Sequence, residues 1–159
     1  MKALDKALEL KSAGKLEEAK ETLISLTKEH PDNSLINYHC ACCHDSLGLE
    51  ADAVPYYEKA ISLGLPEFEL QGAFLGLGST YRTLGKYAQA KKVFENGQYK
   101  FPDNRALQIF YSMTLYNLRN YSKAMELLLK NIAETSNDEN IKSYKMAIEF
   151  YSDKLDTIW

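Results

Sequence analysis

The chain has few of the residues that mark nucleic-acid-binding proteins. Only three of its 19 basic residues are arginines, at Arg82, Arg105 and Arg119, and the formal net charge is −3. Proteins that bind DNA or RNA concentrate Lys and Arg in a basic patch or stripe. No basic run occurs in this sequence, so its composition does not favour a nucleic-acid partner.

Long apolar segments are also missing. No apolar run approaches the ~18 residues that a membrane-spanning helix requires. The first residues form a polar amphipathic pattern rather than the apolar core of a signal peptide. We therefore expect no membrane partner and a cytoplasmic location.

Cysteine is scarce, with three residues clustered at Cys40, Cys42 and Cys43. An odd number of cysteines within one short segment does not form a disulfide framework. Together with His39 and His44 they make the string His-Cys-Ala-Cys-Cys-His, which looks like a metal site. On a helix, His39 pairs with Cys43 and Cys40 with His44 on two different faces, whereas a structural zinc takes four ligands. We expect buried thiols, no metal and no cofactor.

The sequence shows no arrangement of side chains typical of a catalytic site. Gly72, Gly76 and Gly78 form a glycine-rich run, but a phosphate-binding loop needs a preceding strand, and this run lies within a helical pattern. We expect these glycines to allow close helix packing. Because function has to be argued from a site, and no catalytic site is visible, we predict that the protein is not an enzyme.

What the chain does contain is a repeated pattern. Four alanines recur at spacings of 34, 37 and 34 residues, each followed four residues later by a bulky apolar side chain. Five residues before the first three stands a glycine, typical of the left-handed residue that ends a helix. A fixed period of this length indicates one small unit copied four times, and such units have to stack to bury their apolar faces. The alanines are Ala19, Ala53, Ala90 and Ala124; the residues that follow them are Leu23, Tyr57, Phe94 and Leu128; the preceding slot holds Gly14, Gly48, Gly85 and, in the fourth copy, Arg119.

The third copy has the clearest pattern. It reads Phe74-x2-Leu77-Gly78-x2-Tyr81, then Ala90-x3-Phe94, then Pro102. This resembles the tetratricopeptide repeat, whose pattern is W-x2-L-G-x2-Y, A-x3-F and P. The other three copies match more loosely, with the small residues Ala7, Ala41 and Ser112 in the slot of Gly78.

The resemblance implies an all-α fold, a right-handed α-solenoid of four helix-hairpin repeats with a C-terminal capping helix. We expect a single domain over 1–159. A stripe on the capping helix, formed by Ile141, Tyr144, Ile148, Tyr151 and Leu155, is expected to cover the last repeat. The repeats are placed at about 1–33, 34–67, 68–103 and 104–136, with the capping helix at 138–158. The helices are predicted at 2–13, 15–29, 34–47, 50–63, 68–84, 87–100, 104–118, 121–134 and 139–157.

The resemblance also implies a function. Tetratricopeptide proteins bind a protein or peptide segment in a concave groove lined by the first helix of each repeat, so we expect a non-enzymatic adaptor or scaffold. Members that hold the carboxyl end of a chaperone use Lys and Asn at set groove positions, where this chain has Leu4, Leu8, Gly72 and Gly76, so that ligand is not favoured. The groove positions are Leu4, Leu8, Leu35, Tyr38, Cys42, Asp45, Leu75, Ser79, Arg82, Ile109, Met113 and Tyr116.

A self-associating structural protein is the alternative, with a homodimer formed through the groove or the C-terminal helix. Met146 and Phe150 lie about 160° around a helix from Ile148, so they are expected to point into solvent. Trp159 adds another large apolar group at the chain end. These three residues are the predicted dimer contact.

Overall fold

The structure is a computed structural model that describes residues 2–159; Met1, which the predicted first repeat includes, lies outside them. The described residues form ten α-helices and no strand, which confirms the all-α prediction. Each of the first eight helices agrees with its predicted range to within one residue at either end. The helices are α1 (Lys2–Ser12), α2 (Leu16–Glu29), α3 (Ser34–Ser46), α4 (Glu50–Leu63), α5 (Glu67–Thr83), α6 (Tyr87–Lys100), α7 (Arg105–Asn117), α8 (Tyr121–Thr135), α9 (Glu139–Ser143) and α10 (Lys145–Tyr151).

The helices fall into two compact units. The first unit, residues 2–86, holds α1 to α5, and the second, residues 87–159, holds α6 to α10. In the first unit each of α1 to α4 packs against the helix that follows it, and α3 also contacts α1 and α5. In the second unit α7 packs against α6 and α8, and α8 also contacts α9 and α10. The single domain over 1–159 stays a prediction.

Small residues lie where the two helices of a repeat meet. Ala7 on α1 and Ala19 on α2 are fully buried, as are Ala41 on α3 and Ala53 on α4. A side chain that ends at Cβ keeps the two backbones close, and larger residues would hold them apart. The recurring alanine therefore marks the internal contact of these two helix pairs.

A residue with positive φ stands two positions after the end of the first helix of each repeat. Gly14, Gly48 and Gly85 have φ of 76°, 71° and 72°, which confirms the left-handed conformation expected at Gly85. Arg119 occupies the same slot in the fourth repeat with φ of 62°, although non-glycine residues are strained there. The backbone hydrogen bond from Asn120 N to Leu115 O, 2.9 Å, matches the bond from Lys86 N to Tyr81 O, 2.8 Å. The turn geometry is thus kept in the fourth repeat without the glycine.

Asparagine side chains begin three of the helices. Asn33, Asn104 and Asn120 each accept a hydrogen bond from a backbone N–H in the first turn of α3, α7 and α8. Such caps satisfy donors that have no partner within the helix. They fix where these helices begin.

The predicted capping helix is wrong in its extent and in its buried face. Two short helices, α9 and α10, replace it and are separated at Tyr144. The Ser143 hydroxyl donates to the Glu139 carbonyl at 2.7 Å, and beyond α10 Lys154 Nζ donates to the Phe150 carbonyl at 2.9 Å. At the break itself Tyr144 leaves the helical conformation, with φ of −107° and ψ of 11°. A serine that bonds to the carbonyl four residues earlier, as Ser143 does, favours a bend at this point. Of the predicted covering stripe, Tyr144, Tyr151 and Leu155 are exposed.

Replacing Ala53 with leucine is expected to destabilise the protein by about 1–3 kcal/mol, because Ala53 is fully buried on α4, which packs against α3, and a larger side chain overpacks such a site. The matched control is Ala51→Leu, which makes the same change at an exposed position of α4. Thermal unfolding followed by circular dichroism measures both. Equal melting temperatures for the two variants would show that Ala53 is not at a tight contact.

Arg119→Gly is expected to stabilise the protein by about 1 kcal/mol, since glycine adopts positive φ without the steric cost that a side chain incurs. Arg119→Ala, which removes the side chain but keeps Cβ, is the control and should give no such gain. Urea unfolding gives both free energies. A glycine variant no more stable than the alanine variant would contradict a strained backbone at this position.

Candidate functional site

Most of the predicted groove residues lie on α3 and α5, in the first unit. On α3, Leu35, Tyr38 and Cys42 are half-buried, and on α5 Leu75 and Ser79 are half-buried as well. Arg82 on α5 and the α1 residues Leu4 and Leu8 have the same intermediate burial. Because α3 packs against both α1 and α5, the predicted groove residues of the first unit lie on helices that are neighbours in space. The predicted first-unit residues are therefore partly accessible, although Leu4 also packs against the buried core cluster that includes Ala7 and Ala19.

Tyr38 reaches from α3 to the backbone of α5. A Cβ placed on Gly72 would overlap the Tyr38 hydroxyl and lie 3.2 Å from its Cζ. Burial raises the pKa of the Tyr38 phenol above its ordinary value, and the neighbouring Cys42 thiol raises it further. Tyr38 is thus a neutral phenol at neutral pH, held against the glycine of the next first helix.

Tyr57 of α4 uses the second glycine in the same way. A Cβ on Gly76 would lie 2.5 Å from Tyr57 Cζ. The Tyr57 hydroxyl donates to Asp45 Oδ2 at 2.9 Å and lies 3.6 Å from Cys42 Sγ. Gly72 and Gly76 do allow close packing, but the groups they admit are two phenol rings rather than a neighbouring helix backbone.

Asp45 joins three helices of the first unit. Its Oδ1 accepts a hydrogen bond from Thr80 Oγ1 of α5 at 2.8 Å, and its Oδ2 accepts the bond from Tyr57 of α4. Burial raises the pKa of this carboxyl, and the two hydrogen bonds oppose that rise. Both carboxylate oxygens are used inside the protein, so we do not retain Asp45 as a ligand contact. Nothing in the sequence indicated this role, because Thr80 is 35 residues away and belongs to no motif.

The remaining groove positions lie on α7, in the second unit. Ile109 is half-buried, whereas Met113 and Tyr116 are exposed. The Tyr116 ring makes an edge contact with Tyr121 of α8, with 5.2 Å between ring centroids. Ile109, Met113 and Tyr116 follow one another at spacings of four and three residues, which places them on one face of α7.

The predicted dimer contact is exposed at the C-terminal end of the second unit. Met146 and Trp159 are 84% and 78% exposed, and Phe150 is half exposed. Phe150 and Trp159 stack on each other at 5.9 Å between centroids, and Lys154 Nζ lies 4.6 Å from the Phe150 ring. Two of the three residues therefore form one aromatic cluster.

The cysteine cluster is mainly part of the core. Cys40 and Cys43 are fully buried, and burial raises the pKa of Cys40 to about 12 and that of Cys43 above its ordinary value. His44 Nδ1 lies 2.8 Å from the Cys40 carbonyl, and Cys43 Sγ donates to the Leu16 carbonyl at 3.2 Å. Within residues 2–159, no group of three or more His, Cys, Asp or Glu side chains is placed to hold a metal ion.

One cavity that the sequence did not indicate lies among α2, α3 and α4. It has a volume of about 730 Å³, and its lining includes Lys20, His44, Asp52, Tyr56 and Lys59. These residues come from three helices and follow no motif, so no sequence signal brings them together. The cavity is lined by charges of both signs and favours no class of ligand.

The thiols differ in accessibility, which alkylation should reveal. At pH 8 and without denaturant, we expect iodoacetamide to modify Cys42 and to leave Cys40 and Cys43 unmodified, because buried thiols with a raised pKa are scarcely ionised. Mass spectrometry of the digested protein identifies the modified position. A sample unfolded in urea, in which all three cysteines react, is the control. Equal labelling of the three in the native protein would contradict the burial of Cys40 and Cys43.

No helix within the described part of the chain is both long enough and apolar enough to span a bilayer.

Solved structures with the same fold confirm the helical-repeat architecture. The chain superposes on "MamA RS-1 ArsTM double mutant" with a TM-score of 0.74 and 15% identity, covering 96% of this chain and 84% of that one. It also superposes on a tetratricopeptide repeat protein from Parabacteroides merdae with a TM-score of 0.63 and 16% identity, covering 97% of this chain but 61% of the other. These identities are low, so the likeness establishes the fold alone.

The sequence itself also matches a known family. No curated protein matches the chain, but the family model described as "Tetratrico peptide repeat" matches residues 34–155. That range covers most of the chain and includes the repeated alanines Ala53, Ala90 and Ala124. The chain therefore belongs to the tetratricopeptide repeat family.

Proposed function

We propose that this protein is a non-catalytic adaptor that binds a segment of another protein on the surface formed by α1, α3 and α5. The observation that carries the proposal is the contact between α3 and α5, where the Tyr38 ring packs against Gly72 and the surrounding side chains are half-buried. We call this the first-unit groove; its residues are Leu4, Leu8, Leu35, Tyr38, Cys42, Leu75, Ser79 and Arg82.

The chemistry of the first-unit groove suits a partner segment that is mainly apolar. Leu35 and Leu75 offer aliphatic contacts, while the neutral Tyr38 phenol and the Ser79 hydroxyl can form hydrogen bonds with a peptide backbone. Large aromatic side chains carry much of the binding energy at protein interfaces. Tyr38 is also held in position before any ligand arrives, which lowers the entropy cost of binding.

The exposed face of α7 is proposed as a contact of the same kind on the second unit. Ile109, Met113 and Tyr116 present two long apolar side chains and an aromatic ring. Exposed Tyr and Met are enriched at protein interfaces relative to the rest of a protein surface.

Membership of a family that generally serves as a scaffold supports the absence of catalysis.

We also propose a cytoplasmic location. The three free cysteines support it, because free thiols persist in reducing compartments. Self-association is the second candidate function, and the exposed apolar side chains of the second unit favour it.

Ser79→Arg is expected to weaken peptide binding at least tenfold, because the long cationic side chain would fill the first-unit groove. Ligands would be selected from a displayed library of protein segments, and their affinities measured by fluorescence anisotropy. The matched control is Ser25→Arg, the same substitution at an exposed position of α2. Thermal melts of both variants verify that the fold is intact.

Three results would count against this function. The library could yield no segment that binds the parent protein, or Ser79→Arg could bind a selected segment as tightly as the parent does. Alternatively, Ser25→Arg could weaken binding as much as Ser79→Arg, which would place the ligand outside the first-unit groove.

A further inference from the structure

The second helix of every repeat carries the same four-residue stripe. Its members lie three residues before, and one, four and eight residues after, the repeated alanine. At 100° per residue they fall within an arc of about 60° on one side of the helix. We call this the outer stripe; it comprises Leu16, Lys20, Leu23 and Thr27 on α2, Glu50, Val54, Tyr57 and Ile61 on α4, Tyr87, Lys91, Phe94 and Gln98 on α6, and Tyr121, Met125, Leu128 and Ile132 on α8.

In the first three repeats, all twelve outer-stripe residues are buried or half-buried. The next first helix packs against each of these second helices: α3 on α2, α5 on α4 and α7 on α6. Individual contacts show this directly, since a Cβ on Gly76 of α5 would touch Tyr57, and the Tyr111 ring of α7 lies 6.4 Å from that of Phe94. Coverage of the outer stripe by a following helix is thus a regular feature of the fold.

The outer stripe of α8 is exposed instead. Tyr121, Met125 and Ile132 are 51%, 43% and 45% exposed, and only Leu128 is half-buried. The helices that follow, α9 and α10, have 5 and 7 residues, whereas α3, α5 and α7 have 13, 17 and 13.

The C-terminal segment is also attached to a different side of α8. Ser122 Oγ donates to Asp156 Oδ2 at 2.9 Å, and Ala133, on the same side of the helix as Ser122, is buried. This segment, including α10, which packs on α8, therefore leaves Tyr121, Met125 and Ile132 of the outer stripe exposed.

The exposed outer stripe of α8 is more apolar than the covered outer stripes of α2, α4 and α6, although exposed surfaces are usually the more polar ones. The earlier stripes are covered, yet they include the polar residues Lys20, Glu50, Lys91 and Gln98. The Tyr121 hydroxyl is the single polar side-chain group in the exposed stripe of α8. Single exposed apolar residues are ordinary, but a contiguous apolar row on one helix face marks an interaction site.

We propose that a second copy of this chain covers the outer stripe of α8, with the two α8 helices antiparallel across a two-fold axis. The stripe is complementary to itself in this arrangement. With the axis between Glu126 and Leu127, Tyr121 lies opposite the partner's Ile132, and Met125 lies opposite the partner's Leu128. Every large side chain of the stripe then meets another large apolar side chain.

Charge also favours a second copy. The outer stripe of α8 carries no ionised group, so two copies approach without like-charge repulsion. The basic and acidic side chains Lys123, Glu126 and Lys130 pair with one another within the same helix, at 2.9 and 2.6 Å. One helix from each subunit makes a small contact compared with the ~800 Å² that each partner buries in a standard interface. The dimer is therefore expected to dissociate on dilution into the micromolar range.

Sedimentation equilibrium of the full chain, from low to several hundred micromolar, tests the proposal. Tyr121→Glu and Met125→Glu each place a charge in the stripe, and Tyr121 is the first residue of α8, where an acidic side chain is favourable to the helix. The matched control is Tyr99→Glu, the same substitution at a position of α6 that is 90% exposed. Phe150→Glu tests the aromatic cluster at the C-terminal end, and circular dichroism melts verify folding.

We expect the parent and Tyr99→Glu to dimerise with the same dissociation constant, and the two α8 variants to dimerise at least tenfold more weakly. A parent that stays monomeric at the highest concentration would overturn the proposal. So would a dimer that is unaffected by both α8 variants, or one that only Phe150→Glu dissociates. Ser79→Arg should leave the dimer unchanged, which separates this test from the test of the first-unit groove.

Discussion

The structure depends on one constraint: a pair of helices cannot bury all of its own apolar surface. Two helices meet along the recurring small residues, such as Ala41 and Ala53, and this contact leaves the outer stripe of the second helix uncovered. The next repeat supplies the cover, so each repeat is completed by its successor. The same constraint that orders the first three repeats leaves the fourth without a full-length covering helix, which is why α8 differs from α2, α4 and α6.

The first-unit groove results from the same packing. Because α5 has glycine at positions 72 and 76, the phenols of Tyr38 and Tyr57 lie against its backbone. Asp45 then joins α3, α4 and α5 through the hydroxyls of Thr80 and Tyr57. Buried polar contacts of this kind hold neighbouring elements in one arrangement. The surface proposed as the binding site is therefore held in place by contacts within the protein.

The two proposed interactions use different helices of the repeats: the first helices bind a protein segment, and the last second helix, α8, binds a second copy of the chain. A first helix keeps part of its surface accessible while its neighbours cover the rest, which suits capture of a protein segment. A second helix has no spare surface until the repeats end, and there an apolar row such as Met125 and Ile132 remains exposed.

The amino-acid sequence by itself determined the repeat, the first eight helices and the family, because these follow from local periodicity, the spacing of the repeated alanines and the helix-ending glycines. It did not determine the C-terminal end, where the expected helix is divided at Tyr144 and ends at Tyr151. It also missed the role of Asp45 and the exposure of the α8 stripe. Tertiary structure decided both, since hydrogen bonds across 35 residues and the absence of a covering helix depend on which elements meet in space.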